Sequence, residues 1–322
     1  MNDVAPATRP AMLDRKLLFV TGKGGVGKTT VAASLAMLAA QEGKRTLVCE
    51  IDAKGNLAEN YGLTPLGYEA TQVQRNLLAM TMNTEDSLRE YMKLHLRIPL
   101  VSKLGPLAKT FDFVATAAPG VKEILTVGKL AWEVREENYD LVVVDASASG
   151  HVVGQLASPV ALNDLIRVGM VRQQTEWMID ILTDPRQTGV VIVATPEEMP
   201  VNETLELLER LDSETDIDVA AVIVNRVLPE LFSRDEEAAF ERLDTDAGRE
   251  ALVSLVGSGA EPVLDAARLA ADLRRSRAVH LERLNAELPP NIPLVIVPYL
   301  FAKMHGMRMT KQIAERLGEE LL

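Results

Sequence analysis

The sequence predicts an α/β protein built on a doubly wound, mostly parallel sheet, and two observations carry this reading. Short apolar runs recur at residues 17–20, 47–49, 141–144, 190–194, 219–224 and 292–297. They are continuous rather than alternating, as strands are when helices cover both faces of a parallel sheet. Longer stretches with helical spacing separate them, at 29–42, 201–211 and 311–322, and a further helical pair at 235–256 and 262–288 is divided by Gly257-Ser258-Gly259, a turn signal. Two segments break the alternation, about 84–127 and 152–182, and are expected to form an inserted helical subdomain. Leu88, Tyr91, Met92 and Leu96 share a helical face in the first, and Leu162, Leu165, Ile166, Met170, Val171, Trp177 and Met178 stripe the second. Such stripes either join the core or line an exposed groove. Residues 1–15 read as a flexible tail, 16–322 as the folded domain, and no internal repeat is visible.

Composition narrows the function. The 322 residues are 47% hydrophobic and 25% charged, ordinary globular usage. With 34 Lys and Arg against 46 Asp and Glu, the net charge is −12, the wrong sign for a surface that binds nucleic acid. Cys49 stands alone, so an internal disulfide and a cysteine metal site are excluded and a reducing, cytoplasmic setting is expected. No apolar run reaches the ~20 residues of a membrane span and the start lacks a signal-peptide core, so stable membrane insertion is not expected.

The chemistry is concentrated in Gly22-Lys23-Gly24-Gly25-Val26-Gly27-Lys28-Thr29, which fits GxxxxGK[ST] directly between a predicted strand and the helix that Thr29 and Thr30 open. The glycines let backbone N–H groups converge on phosphate oxygens, and the helix N-terminus adds partial positive charge. Lys28 is placed for the β and γ phosphates and the Thr29 hydroxyl for Mg²⁺, which makes ATP with Mg²⁺ the expected ligands. Strand 47–51 runs into Asp52 and strand 141–144 into Asp145, both at the sheet edge where open α/β sheets bind ligands. Asp52 is the candidate that orients the attacking water, and Asp145 the carboxylate on the Mg²⁺ side, directly or through water; the alternative for each is a turn or helix cap. Asn225, ending strand 219–224, is either an adenine reader or a turn asparagine. Lys23 is a second lysine inside the loop.

In that second lysine the loop resembles the deviant form found in ATPases whose two subunits face each other across two nucleotides, and the wider set resembles the ArsA and GET class, the arsenite-pump ATPases and the targeting factors for tail-anchored membrane proteins. Asp52-Ala53-Lys54-Gly55-Asn56-Leu57 is similar to the family's switch I motif and Asp145-Ala146-Ser147-Ala148-Ser149-Gly150-His151 to its switch II motif. Pro119 to Glu123, Thr195-Pro196-Glu197, Asn202-Glu203-Thr204 and Val224-Asn225-Arg226 resemble further family segments. The resemblance implies a SIMIBI-like P-loop NTPase fold and ATP hydrolysis, with Lys23 acting in trans on the partner's phosphates. It implies a homodimer, or a heterodimer with a paralogous ATPase, and a hydrophobic or tail-anchored client protein. The chain has one half where arsenite pumps fuse two, and it lacks the CxxC pair of eukaryotic targeting factors, so zinc is not expected.

Two rival readings share the phosphate chemistry. The Asp52 motif is also similar to that of ParA and MinD partitioning ATPases, but these need a basic DNA-binding surface or a cationic amphipathic C-terminal helix, and after Lys311 this chain sets Arg316 against Glu315, Glu319 and Glu320. The other rival is a nucleotide-stabilised scaffold paired with a paralogous ATPase.

Overall fold

The computed structural model of the chain describes residues 10–51, 55–95, 120–166, 168–230, 232–301 and 305–322. In chain order its elements are β1 (Leu17–Gly22), α1 (Lys28–Gln41), β2 (Thr46–Ile51), α2 (Asn56–Tyr61), β3 (Thr71–Gln74), β4 (Leu77–Met82), α3 (Thr84–His95), α4 (Val121–Arg135), β5 (Leu141–Asp145) and α5 (Ser149–Leu165). There follow α6 (Met170–Thr183), β6 (Thr188–Ala194), α7 (Glu198–Glu214), β7 (Val219–Val227), α8 (Arg234–Leu243), α9 (Asp246–Val256), α10 (Ala260–Glu287), β8 (Leu294–Pro298) and α11 (Met307–Leu321). The strands form one sheet in the order β3-β4-β2-β5-β1-β6-β7-β8. All neighbours are parallel except β3 and β4, which pair antiparallel.

The continuous apolar runs are explained by two cores. Leu17 and Phe19 of β1, Val142 and Val144 of β5, and Val190 and Ile192 of β6 enter one core with α4, α5, α6 and α7. The intervening Leu18, Val20, Val143, Val191 and Val193 enter the other, beneath α1 and α11. Successive side chains point to opposite faces, so a strand covered on both sides must be apolar at every position. Helix α1 is the extreme case: all ten residues from Val31 to Ala40 are buried, because α2, α11 and the sheet surround it.

Three features differ from the sequence reading. Residues 235–256 form two helices, not one: Thr245 caps α9 by accepting the Gly248 N–H at 3.2 Å. A Cβ at Gly248 would lie 2.7 Å from the Arg242 and Leu243 carbonyl oxygens, so the turn needs glycine there. The β3–β4 hairpin was not expected; it turns through Asn76, which holds φ 63°, a conformation that asparagine tolerates better than most residues. The inner end of the supposed tail is packed, with Met12, Leu13 and Arg15 buried.

Arg15 pins that segment beneath the sheet. Its guanidinium donates to the Thr188 carbonyl at 2.8 Å and to Asp218 Oδ2 at 2.6 Å. Arg15 is fully buried but the Asp218 side chain is 26% exposed, so losing the guanidinium costs about 1.5–3 kcal/mol, the worth of a charge-assisted hydrogen bond. Arg15→Ala is therefore expected to lower the urea midpoint by that equivalent, and an unchanged midpoint would remove Arg15 from this role.

Of the segments expected as a helical insert, the first contributes α3 and the start of α4, while residues 96–119 lie outside the described residues. The second forms α5 and α6, which bury Val152, Val153, Leu156, Met178 and Leu182 against the sheet. Their connecting tip exposes Leu165 and Val168, at 81% and 82%.

Candidate functional site

The phosphate loop is shaped by where β1 ends. Gly22 has φ 143°, and a Cβ there would sit 2.1 Å from the Val193 carbonyl oxygen of β6, so the exit from β1 admits no side chain. Gly25 and Gly27 hold φ 87° and 95°, the left-handed region that costs L-residues about 1–2 kcal/mol. Gly27 stands at the N-cap of α1. The loop's first-turn amides thus face outward at a helix N-terminus, the arrangement that receives an anion.

Strand β7 braces this loop from beneath. Asn225 is 5% exposed; its Nδ2 donates to the Val26 carbonyl at 2.8 Å, and its Oδ1 accepts the Arg226 N–H at 3.0 Å. Arg226 holds φ 60°, and its guanidinium donates to the Gly25 carbonyl at 3.1 Å. Two side chains of one strand end therefore fix two loop carbonyls, which turns the neighbouring amides toward the cavity. Val26 itself is buried and anchors the loop in the core under α1.

Above the loop lies a cavity of about 600 Å³. Gly24, Gly25, Gly27, Lys28, Thr29 and Thr30 form one wall, and Asp145 faces them with Ala146, Ser147 and Ala148 of the segment leading into α5 and His151 of α5 itself. Asp145 is 5% exposed and stands in register with Val20 of β1 on one side and Glu50 of β2 on the other. Thr21 Oγ1 holds the segment by donating to the Ser147 carbonyl at 2.8 Å. Lys28 Nζ donates to the Lys23 carbonyl at 3.1 Å, so the cation stays over the loop. A cavity of about 630 Å³ at the opposite sheet edge is lined by Glu209, Asp212, Asp216, Asp218 and Glu287; those carboxylates repel a polyphosphate, so charge rather than volume identifies the site.

Sequence reading missed Glu50, a 2% exposed carboxylate in the same wall. Its Oε1 accepts the Asn56 N–H at 3.1 Å, which ties β2 to the start of α2. The usable signal was a charged residue inside an otherwise apolar strand. The neighbouring Cys49 is buried, and that burial pushes its thiol well above the ordinary range, so it is neutral. A smaller chamber of about 290 Å³ adjoins the cavity at Ile51, Ser147 and His151 and includes Lys122 and Gln155.

The structure thus brings together Gly24, Gly25, Gly27, Lys28, Thr29, Thr30 and Asp145. Gly22, Val26 and Asn225 shape the loop from below rather than line the cavity. Asp52 lies outside the described residues, between Ile51 and Gly55, both of which are described. Lys23 does not line the cavity; its Nζ meets Glu203 Oε1 of α7 at 2.5 Å.

A family model described as anion-transporting ATPase matches residues 15–176 and 167–246. The chain belongs to that family. It is an ATPase of the ArsA and GET class, as the loop and the two switch motifs implied, and ATP is its nucleotide. ATPase BagA of Mycobacterium tuberculosis is 30% identical over 252 residues, spanning 74% of each chain. ATPase GET3 of Mycosarcoma maydis is 27% identical over 266 residues, covering 71% of this chain and 78% of its own. An ATPase ASNA1 homolog of Entamoeba dispar is 26% identical over 257 residues, covering 66% and 77% respectively. Among the described residues of this family member, no helix is long and apolar enough to cross a membrane.

Proposed function

We propose that the protein is a Mg-ATP-dependent switch that works as a dimer, of two copies or with a paralogous ATPase, and handles a hydrophobic client in the cytoplasm. The observation that carries this reading is the division of labour between the loop lysines. Lys28 lines its own cavity, whereas Lys23 leaves it for the surface near α5 and α7, a position suited to a neighbouring subunit's phosphates.

Thr29 and Asp145 line one cavity with Lys28, and a hydroxyl with a carboxylate is an oxygen donor set that suits Mg²⁺. Held there, Mg²⁺ would supply positive charge that offsets the negative charge of the phosphates. In this reading Lys28 and the loop amides hold the phosphates, and Asp52 orients water against the γ phosphorus. A bond forms from the water oxygen to phosphorus as the bond to the β–γ bridging oxygen breaks, and the water proton leaves through Asp52. Lys23 of the opposite subunit meets charge that develops on the transferred group. Loss of γ-phosphate frees the segments around Asp52 and Asp145, which lead toward α2 and α5. The exposed Leu165 and Val168 at the α5–α6 tip support a hydrophobic client, tail-anchored proteins being the class that the family resemblance implies.

Asp52→Asn tests the reading. It is expected to keep ATP affinity while turnover falls by about 10²–10⁴, and to leave an ATP-bound dimer persistent in sedimentation. Wild-type turnover would remove Asp52 from its role. Recovery of that trapped form from its own cells is expected to bring down proteins that carry an exposed hydrophobic segment.

A further inference from the structure

We infer that Glu203 is a positioning residue, holding Lys23 on its own subunit and releasing it when the segment after β5 moves. The contact stands on the geometry of one chain; its consequence for pairing rests on the in-trans reading of Lys23 given above.

One carboxylate serves two elements of the switch. Glu203 Oε1 accepts from Lys23 Nζ at 2.5 Å, and Oε2 accepts from Ser149 Oγ at 3.2 Å. Lys23 belongs to the phosphate loop and Ser149 is the first residue of α5, so loop and switch meet on a third element. That element is fixed from behind. Arg277 of α10 pairs with Glu197 at 3.3 Å, and Arg283 donates to Asn202 Oδ1 at 2.6 Å, so α10 grips the N-terminal end of α7 on either side of the turn that precedes Glu203.

The strength of the hold suits a latch. The side chains of Lys23 and Glu203 are 28% and 30% exposed, and a pair that reaches solvent is worth only about two- to fivefold in an equilibrium. It biases Lys23 without locking it. An ionised carboxylate offers only acceptors, so the Ser149 hydroxyl and the lysine ammonium both orient it. When Ser149 is drawn off by movement of the segment that begins at Asp145, Oε2 loses its donor and the carboxylate is free to turn. A phosphate group across a subunit boundary, with more negative charge, then competes for the ammonium.

Glu203→Gln removes the charge while keeping the shape and an acceptor for Ser149. In the full chain without nucleotide, acetic anhydride is expected to acetylate Lys23 about two- to fivefold faster in the variant than in wild type, with Lys44, bound to Asp14, as the reference amine. With ATP, the concentration at which pairs form in sedimentation is expected to fall by a similar factor, and the gain is expected to vanish in the Lys23→Ala background. A purely structural Glu203 would alter neither the selective labelling nor its dependence on Lys23. Equal Lys23 labelling in both proteins overturns the inference, as does an unmoved midpoint in a chain that pairs. If labelling rises but neither protein pairs with ATP, the hold stands and the dimer reading alone fails.

Discussion

Lys28→Ala is expected to lower ATP affinity by at least about a hundredfold while leaving the fold intact. Each hydrogen bond from a charged donor is worth about 1.5–3 kcal/mol, and every 1.4 kcal/mol is tenfold. An ammonium that reaches both the β and γ phosphates makes more than one such bond. Lys28 opens α1, whose buried stretch begins only at Val31, so truncating the lysine leaves the apolar packing in place. Calorimetric titration of ATP into the variant measures the loss, and affinity within tenfold of wild type would discard the cradle assignment. Thermal unfolding without nucleotide serves as the control, with an expected change of only a few degrees.

The second large effect is on stability. Gly22→Ala is expected to destabilise the fold by about 3–5 kcal/mol, a large share of a typical total of about 5–15. The new Cβ would be 2.1 Å from the Val193 carbonyl oxygen, and that atom belongs to the β6 backbone, which pairs with β1 from Leu17 to Gly22. No rotamer relieves a clash between Cβ and main chain, so the strands must part at the point where the phosphate loop begins. The substitution therefore damages ATP binding as well, but through the sheet. Urea unfolding of the nucleotide-free protein separates the two effects, and a wild-type midpoint would show that the β1 exit tolerates a side chain.

The parts of this molecule that were legible in its sequence are those in which one local pattern has one physical meaning. Apolar runs such as 141–144 and 190–194 became parallel strands because both faces of the sheet are covered. The loop from Gly22 to Thr29 was readable because glycines at fixed spacing between a strand and a helix leave few other uses. The β3–β4 hairpin was harder: Thr71–Gln74 is a polar edge strand with exposed and half-buried positions only, so no hydrophobic period announces it. Glu50 is harder to read, because carboxylates that end strands such as Asp52 carry the ligand argument, and a buried acid two residues earlier gains meaning only once β2 is seen beside β5. The segment Asn202-Glu203-Thr204 was visible as a family likeness, yet nothing local says that Glu203 meets a lysine 180 residues away. Pairings between distant elements are set by topology, which spacing does not encode.

Helix α1 has no wet side. Tyr61 Oη donates to the Ala33 carbonyl at 2.9 Å from α2, and Ser34 Oγ donates to the Thr310 carbonyl of α11 at 3.1 Å, so polar ties as well as packing hold it from two directions. A helix with one greasy face can roll on it, whereas one enclosed all round disturbs close-packed neighbours whichever way it shifts. In the proposed switch the start of α1 is thus a stationary anvil, and the stroke of hydrolysis is assigned to the segment that runs from Asp145 into α5.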